Sequence, residues 1–542
     1  MPLRLLSKPL RFDFMLAEQA ADSAAEATMS IAITRTDPRF DALKGGHNLR
    51  FPASEAEAAD RILLCSSAQE TADALRQVVA AGLRPTVRSG GHCYEGFVSS
   101  NPHGAIIDLS LHDSVSRDEQ TGAYCVAPGA VLGDVYLSLY KRYNLTLPAG
   151  SCFRVGAGGH ISGGGYGLLS RLHGLTSDWL TAVDILTVDA DGTVSARRVD
   201  AHHDADLFRA CRGAGGGNFG IITSFRFDRL PVAPCEVAGI SLFIPWKDMS
   251  EDRFISLMTT FGDYWEGRGK DPDTWGLFSL LEITPQRTGH LGLHTQFCQP
   301  DGSATDLAVL DEFLDRFAPF QPMSMPLNPA VPVAAGPSGA HAQAPLRTHA
   351  NFRPGLRLRP WLDATVGDSG SGGQTRAKYK SAYMKRSFTP AEAQAFYRFY
   401  TSSDNAGDGS VVSIDSYGGA VNRPDLASTT AIAQRSSIMK LQWQCYWRDS
   451  ADDARHLHAM DAFYTSVYTG SHVDADHQGT PWGDRYEGCY MNYADTDMLR
   501  YSYWPELFYG RAGLYPFLQE VKRRYDPNNI FHSSMSIREP GS

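Results

Sequence analysis

Three glycine-dense stretches hold the residues with most chemistry to offer: RSGGHCYEGF from position 88, GSCFRVGAGGHISGGGYGLL from 150 and RGAGGGNFGIIT from 212. Successive backbone N–H groups in such turns form nests for anions, so the three together suggest a large phosphate-bearing ligand. His92 stands on a glycine turn that no helix follows, while Cys152 and His160 lie in the second stretch. These three lack ligand spacing and a local fourth donor, so no metal site is expected. A dinucleotide Rossmann site also fits poorly, because no GxGxxG opens a helix after the first strand with an acidic residue about 20 positions on. GxxxxGK[ST] does not occur, which argues against a P-loop nucleotidase. One glycine turn with one histidine is more often a structural turn than a site; the combination of stretches shifts that balance.

The elements around these loops read as a soluble α+β chain. At 542 residues two domains are the natural expectation. The apolar fraction of 43% and charged fraction of 20% belong to a folded protein. A net charge of -10 argues against a nucleic-acid partner. No run approaches the roughly 18 apolar residues of a membrane span. The N-terminus has basic residues but no continuous apolar core, so residues 1–36 read as an arm. Nine cysteines without a CxxC pair suit a reducing compartment, and the cytoplasm is the expected location.

Ser67 and Glu70 suggest a capping box opening a helix with Leu75, Val78 and Val79 on one face and Gly82 at its end. Short strands follow at 85–88, in GAIIDLS (104–110) and in AYCVAP (123–128), then an amphipathic helix over 130–143. Glycine is too dense in 146–179 for core helix. A hairpin with a DG turn is expected in LTAVDILTVDADGTVSARRV. From about 236 longer strands and helices predict an antiparallel sheet with helices on one face. Residues 329–376, rich in Ala, Pro, Gly and Ser, read as a surface loop. In MKLQWQCYW, apolar Met439, Leu441, Trp443, Cys445 and Trp447 alternate with Lys440, Gln442, Gln444 and Tyr446. The polar face is either half-exposed surface or the wall of a ligand pocket.

The three stretches, followed by YMNYADTD and RYDPNNIF, occur in order over more than 400 residues. This pattern resembles the vanillyl-alcohol-oxidase superfamily of FAD enzymes, in particular its berberine-bridge-enzyme-like oxidases and their bacterial branch acting on glycosylated natural products. The resemblance implies an FAD-binding domain of the PCMH type, made of residues 37–235 and completed by 486–542. A substrate domain of antiparallel sheet plus helices, residues 236–485, is inserted between them. It implies FAD bonded 8α-histidyl at His92 and 6-S-cysteinyl at Cys152. Arg88, Ser89, Gly90 and Gly91 belong to the same cofactor site, together with Gly156, Gly158, Gly159, His160, Gly163, Gly164 and Gly167. Gly217, Asn218, Gly220 and Ile222 join from the third stretch, and Tyr490 and Asn492 from the C-terminal one. Cys93, beside the tether, is expected in the core, and Arg88 has helix capping as its alternative to phosphate.

In the related oxidases the second tyrosine of YMNYADTD is the base, here Tyr493. A phenol is a poor base in water and becomes useful where nearby positive charge favours the phenolate. If that segment is extended, Asn492 points away from Tyr493. Relatives place a further catalytic partner on the strand facing the flavin, where Gln442, Gln444 and Tyr446 stand and no carboxylate does. Gln442 and Tyr446 are the catalytic candidates; Gln444 and Tyr166 are assigned to substrate. Lys378, Lys380 and Tyr383 match a family segment with a sheet-holding role as the alternative. Trp443, Tyr446, Trp482 and Tyr490 offer rings for stacking on a substrate, with core packing as the competing role. The expected reaction is oxidation of a secondary alcohol or hemiacetal, on a bulky glycoside or oligosaccharide, to ketone, lactone or acid with O2 becoming H2O2. Rivals are a flavin dehydrogenase with another acceptor and a non-catalytic flavin carrier. A monomer or homodimer, with no membrane partner, completes the expectation.

Overall fold

The computed structural model describes residues 30–324, 355–367, 372–403 and 407–541. Its strands build three sheets. The first comprises β1 (Ile31–Thr34), β2 (Arg61–Leu64), β3 (Pro85–Arg88) and β4 (Ala105–Asp108) in the order β1-β2-β4-β3. β4 is parallel to both β2 and β3, and β1 is antiparallel at the edge. Residues 31–34, inside the stretch read as an arm, are therefore an edge strand.

The helix Ala68–Ala80 supplies the crossover between β2 and β3. The Ser67 hydroxyl accepts from the Glu70 N–H at 3.2 Å. The Glu70 carboxylate accepts from Ser66, backbone and hydroxyl, rather than from Ser67, so the box closes one residue early. Leu75 and Val78 are buried against the sheet and Val79 partly so.

The second sheet is antiparallel, with β5 (Val115–Arg117), β6 (Tyr124–Val126), β7 (Ala182–Val188), β8 (Val194–Asp200) and β9 (Ile221–Phe227) in the order β5-β6-β9-β7-β8. β7 and β8 form the hairpin expected from the DG turn. The glycine-rich 146–179 segment departs from its non-helical reading, since Ala157–Ser162 and Ser170–His173 are short helices. Gly158 is tolerated in the first because its missing Cβ lets the turn press onto Ser89 and the Pro128 carbonyl.

The third sheet has eight strands: β10 (Glu236–Pro245), β11 (Leu277–Ile283), β12 (His290–Phe297), β13 (Met323–Ser324), β14 (Arg357–Pro360), β15 (Arg376–Met384), β16 (Ser410–Ser416) and β17 (Met439–Trp447). Their order is β13-β10-β12-β11-β16-β17-β15, with β14 on β10. Helices Pro390–Tyr400 and Asp453–Val467 cover one face, with Phe396, Phe463 and Tyr464 packed around Trp443. All five apolar residues of β17 are buried, leaving the other face of that strand for something else. Within 329–376, residues 357–367 form β14 and the helix Trp361–Gly367, so that part is not loop; residues 329–354 and 368–371 lie outside the described residues.

The C-terminal segment returns to the first lobe. Lys522, on the helix Leu514–Tyr525, donates to the Asn218 carbonyl at 2.8 Å and to Asp526. Phe531 is buried among side chains of β2, β4 and the Ala68–Ala80 helix. No helix among the described residues is long and apolar enough to cross a membrane.

Candidate active site

A cavity of about 950 Å³ lies between the glycine stretches and the uncovered face of the third sheet. Its first wall is backbone. A Cβ on Gly90 would stand 2.4 Å from the Gly156 nitrogen, and one on Gly156 would stand 2.1 Å from Ser89 Oγ. Two separate stretches are thus pressed together with no room for a side chain. Gly159 and Gly217 face open space, and Gly167 and Gly220 abut the Ala149 and Leu186 carbonyls. Asn218 and Ile222 also border the cavity. Gly163 and Gly164 do not: the first makes room for Asn492 and the second for Ile432, so both are packing glycines.

Arg88 is also redirected. Its guanidinium pairs with Asp108 at 2.6 Å and donates to the Leu43 and Gly45 carbonyls, capping the short helix Phe40–Leu43. That leaves the backbone of 88–91 at the cavity. His160 is half-buried, its Nε2 accepting from the Gly150 N–H at 3.1 Å. Burial brings its pKa down to about 4, which keeps the ring neutral. Asn492 donates to the His160 carbonyl and to the Tyr490 hydroxyl, each at 3.0 Å.

His92 and Cys152 both border the cavity. Burial first, then the charges of His47 and Arg154, push His92 down to about 4. Burial raises the Cys152 thiol and the Lys440 charge opposes that rise. Cys93 is half-buried at the cavity edge rather than in the core, and burial pushes its thiol up to about 11.

The second wall is made of side chains from β10, β11, β12, β16 and β17. Lys440, Gln442, Gln444 and Tyr446 all face it. Lys440 donates to Tyr493 Oη at 3.1 Å and pairs with Asp415 at 2.7 Å. Its ammonium lies 4.5 Å from the Tyr166 ring centre and 4.6 Å from that of Tyr493. Burial, then Asp415 and Tyr490, hold the Tyr493 phenol well above its ordinary value. Gln442 donates to the Tyr94 hydroxyl at 2.8 Å, and the Tyr446 hydroxyl donates to Gln444 at 2.6 Å. Tyr166 donates to the Ser416 carbonyl. Residues 491–493 form a 3-10 turn instead of extended chain, which aims Asn492 at His160 and leaves Tyr493 facing Lys440. Trp443 is sealed under the helices, and Trp482 stacks on His477 away from the cavity.

Behind this wall sits a buried ionic cluster. Lys378 contacts Glu95 at 2.9 Å and Asp495 at 2.7 Å; Lys380 contacts Asp495 at 2.8 Å and Asp497 at 2.6 Å. Burial alone would lower Lys378, and Asp495, Glu95 and Asp497 together raise it above the ordinary lysine value. The cluster ties the loop after His92 and the segment after Tyr493 to β15.

Sequence reasoning missed three participants. Tyr94 lies within the first glycine stretch and Lys440 within the alternation of β17, where local pattern gives neither a role. Asp415 becomes visible only once β16 pairs with β17 in register opposite Lys440.

Comparison with known proteins agrees with this geometry. The FAD binding domain family matches residues 59–196, and the berberine and berberine-like family matches residues 489–538. An aclacinomycin-N/aclacinomycin-A oxidase of Streptomyces galilaeus is 34% identical, covering 96% of this chain and 93% of its own. A hexose oxidase of Chondrus crispus is 31% identical over 93% of this chain and 94% of its own. Among solved structures, a glycopeptide hexose oxidase complexed with teicoplanin has a TM-score of 0.79 at 31% identity, covering 94% of this chain and 99% of that one. The residues present fit FAD: a side-chain-free cradle for a pyrophosphate runs into a chamber bordered by His92 and Cys152.

Proposed function

This chain belongs to the berberine-bridge-enzyme-like family of FAD-linked oxidases, and from that premise we propose that it oxidises a secondary alcohol or hemiacetal of a sugar carried on a larger scaffold. The products are a ketone, lactone or acid, with O2 reduced to H2O2. Relatives acting on hexoses and on a glycopeptide support that substrate class. The observation that carries the reading is the Lys440–Tyr493 contact, facing the same cavity as His92 and Cys152.

Bound FAD supplies the hydride acceptor; the rest is the work of this chain's side chains. His92 and Cys152 hold the flavin by two bonds, and residues 37–235 with 486–542 form the domain that carries it. The Ser89–Gly91 backbone faces the pyrophosphate. Tyr493 removes the substrate hydroxyl proton. Burial holds that phenol high; the Lys440 ammonium, donating to its oxygen, favours the phenolate, and Asp415 keeps the ammonium in place. Gln442, Gln444 and Tyr446 orient sugar hydroxyls from the sheet wall. We propose that the chain works as a monomer or homodimer in the cytoplasm.

The test is anaerobic mixing of holoenzyme with hexoses and hexosyl glycosides. The expected result is bleaching of the flavin spectrum, then one H2O2 per turnover when air is admitted. A flavin that no alcohol or hemiacetal bleaches contradicts the reading.

A further inference from the structure

The triplet Gly-Gly-His occurs at 158–160, at 90–92 and also at 45–47, in LKGGHNL, and the last two meet. The fold lays one on the other. A Cβ on Gly46 would stand 2.6 Å from the Gly91 carbonyl oxygen, and the His47 N–H donates to that same oxygen at 2.8 Å. Thr375 N–H donates to the His47 carbonyl at 3.1 Å, and the Asn48 side chain donates to the Tyr94 and Ala377 carbonyls at 2.8 and 3.0 Å. His47 is therefore gripped on both sides by backbone, between the turn of His92 and the start of β15. The two imidazoles stack, with ring centres 4.3 Å apart and planes at 20°. Both rings border the cavity.

We infer that His47 is a positioning residue for covalent attachment at His92, a planar wall that holds the second imidazole edge-on to the cofactor. The inference rests on the reading of His92 as the flavin tether. His92 needs such a wall because two glycines, Gly90 and Gly91, lead into it, Gly91 with φ +72°, and regular structure does not set its direction. Attachment makes one N–C bond between imidazole and the flavin 8α carbon and breaks one C–H and one N–H bond. The two hydrogens and their electrons leave to O2 as H2O2. The imidazole must be neutral and aimed when the bond forms. Burial keeps both rings toward the neutral form, so a stacked pair does not meet charge repulsion. A flat neighbour restricts the free ring to one plane, and misplacement of a reacting group by about 1 Å costs on the order of 100-fold.

The experiment compares wild type, His47→Ala and His47→Phe as expressed holoproteins. Each is denatured and digested, and flavin is located by absorbance and mass on the peptides containing positions 92 and 152. Wild type should carry one flavin joined to both. In His47→Ala, linkage at His92 should fall at least about tenfold while linkage at Cys152 persists, which also reports that the fold is intact. His47→Phe, flat and without nitrogen, should restore linkage to within about twofold. Full His92 linkage in His47→Ala overturns the inference. So does a His47→Phe protein no better than His47→Ala, since imidazole chemistry would then matter rather than the flat face. Loss of both linkages in both variants overturns it as well, assigning the contact to folding. Wild type with no flavin at His92 removes the tether reading and the inference with it.

Discussion

The two walls of the cavity are built on opposite principles. One is glycine backbone from three stretches, two of them pressed so closely that Gly90 and Gly156 exclude any Cβ. The other is a sheet face where every contact is a side chain: Lys440, Gln442, Gln444 and Tyr446 on β17, Asp415 on β16. A backbone wall suits what is constant, a phosphate-bearing cofactor, and admits no side chain where its stretches touch. A side-chain wall can be rewritten residue by residue while the strands beneath it keep their buried apolar face. We assign cofactor identity to the first wall and substrate choice to the second.

The largest effect separating the walls comes from Gly90→Ala. Its methyl would meet the Gly156 nitrogen, and flavin content of the purified protein should fall below about a tenth of wild type. Normal flavin loading would show that the two stretches part without cost. Tyr493→Phe touches only the chemistry. Its kcat should drop by roughly 10²- to 10⁴-fold with flavin content unchanged, as stopped-flow reduction would record.

Lys378→Met removes one partner from a buried cluster and should cost about 3–5 kcal/mol in urea unfolding, because Glu95 loses its counter-charge and Asp495 keeps only Lys380. The same cluster sets a pH window. Lys378 is held above its ordinary value of 10.5, so its contribution is complete below that pH and fades as pH rises through the elevated value. Asp497 is held below its ordinary 3.8, so its contribution is complete above that pH and is lost only as pH falls through the lowered value. Thermal melts should therefore be flat in this respect between those limits.

The smallest effect is kinetic. Since Tyr493 is held high, kcat should rise with pH, and in Lys440→Met the rise should move to still higher pH while apolar packing is kept. An unmoved profile would detach Lys440 from the base.

How much of this was legible depended on whether the determinant was local. The Ala68–Ala80 helix, the β7–β8 hairpin and the two faces of β17 follow from periodicity and turn chemistry within one segment. The glycine stretches announced a backbone cradle, yet Gly163 and Gly164, inside the same motif, serve packing against Asn492 and Ile432. Glycine density shows where backbone must come close, not what it comes close to. Arg88 looked like a phosphate ligand until β4 brought Asp108 alongside it. Lys378 finds Glu95 across 283 positions of sequence, and the Lys440–Asp415 pair exists only through strand register. Pairing partners brought together by tertiary structure leave no local pattern to read.

The central claim is that one flavin is held at once by both distant loops of the backbone wall. Acid precipitation of purified wild-type protein, followed by digestion of the pellet, tests it most directly. The account predicts a yellow pellet whose flavin peptides contain both His92 and Cys152. A colourless pellet, with all of the flavin free in the supernatant, would contradict it.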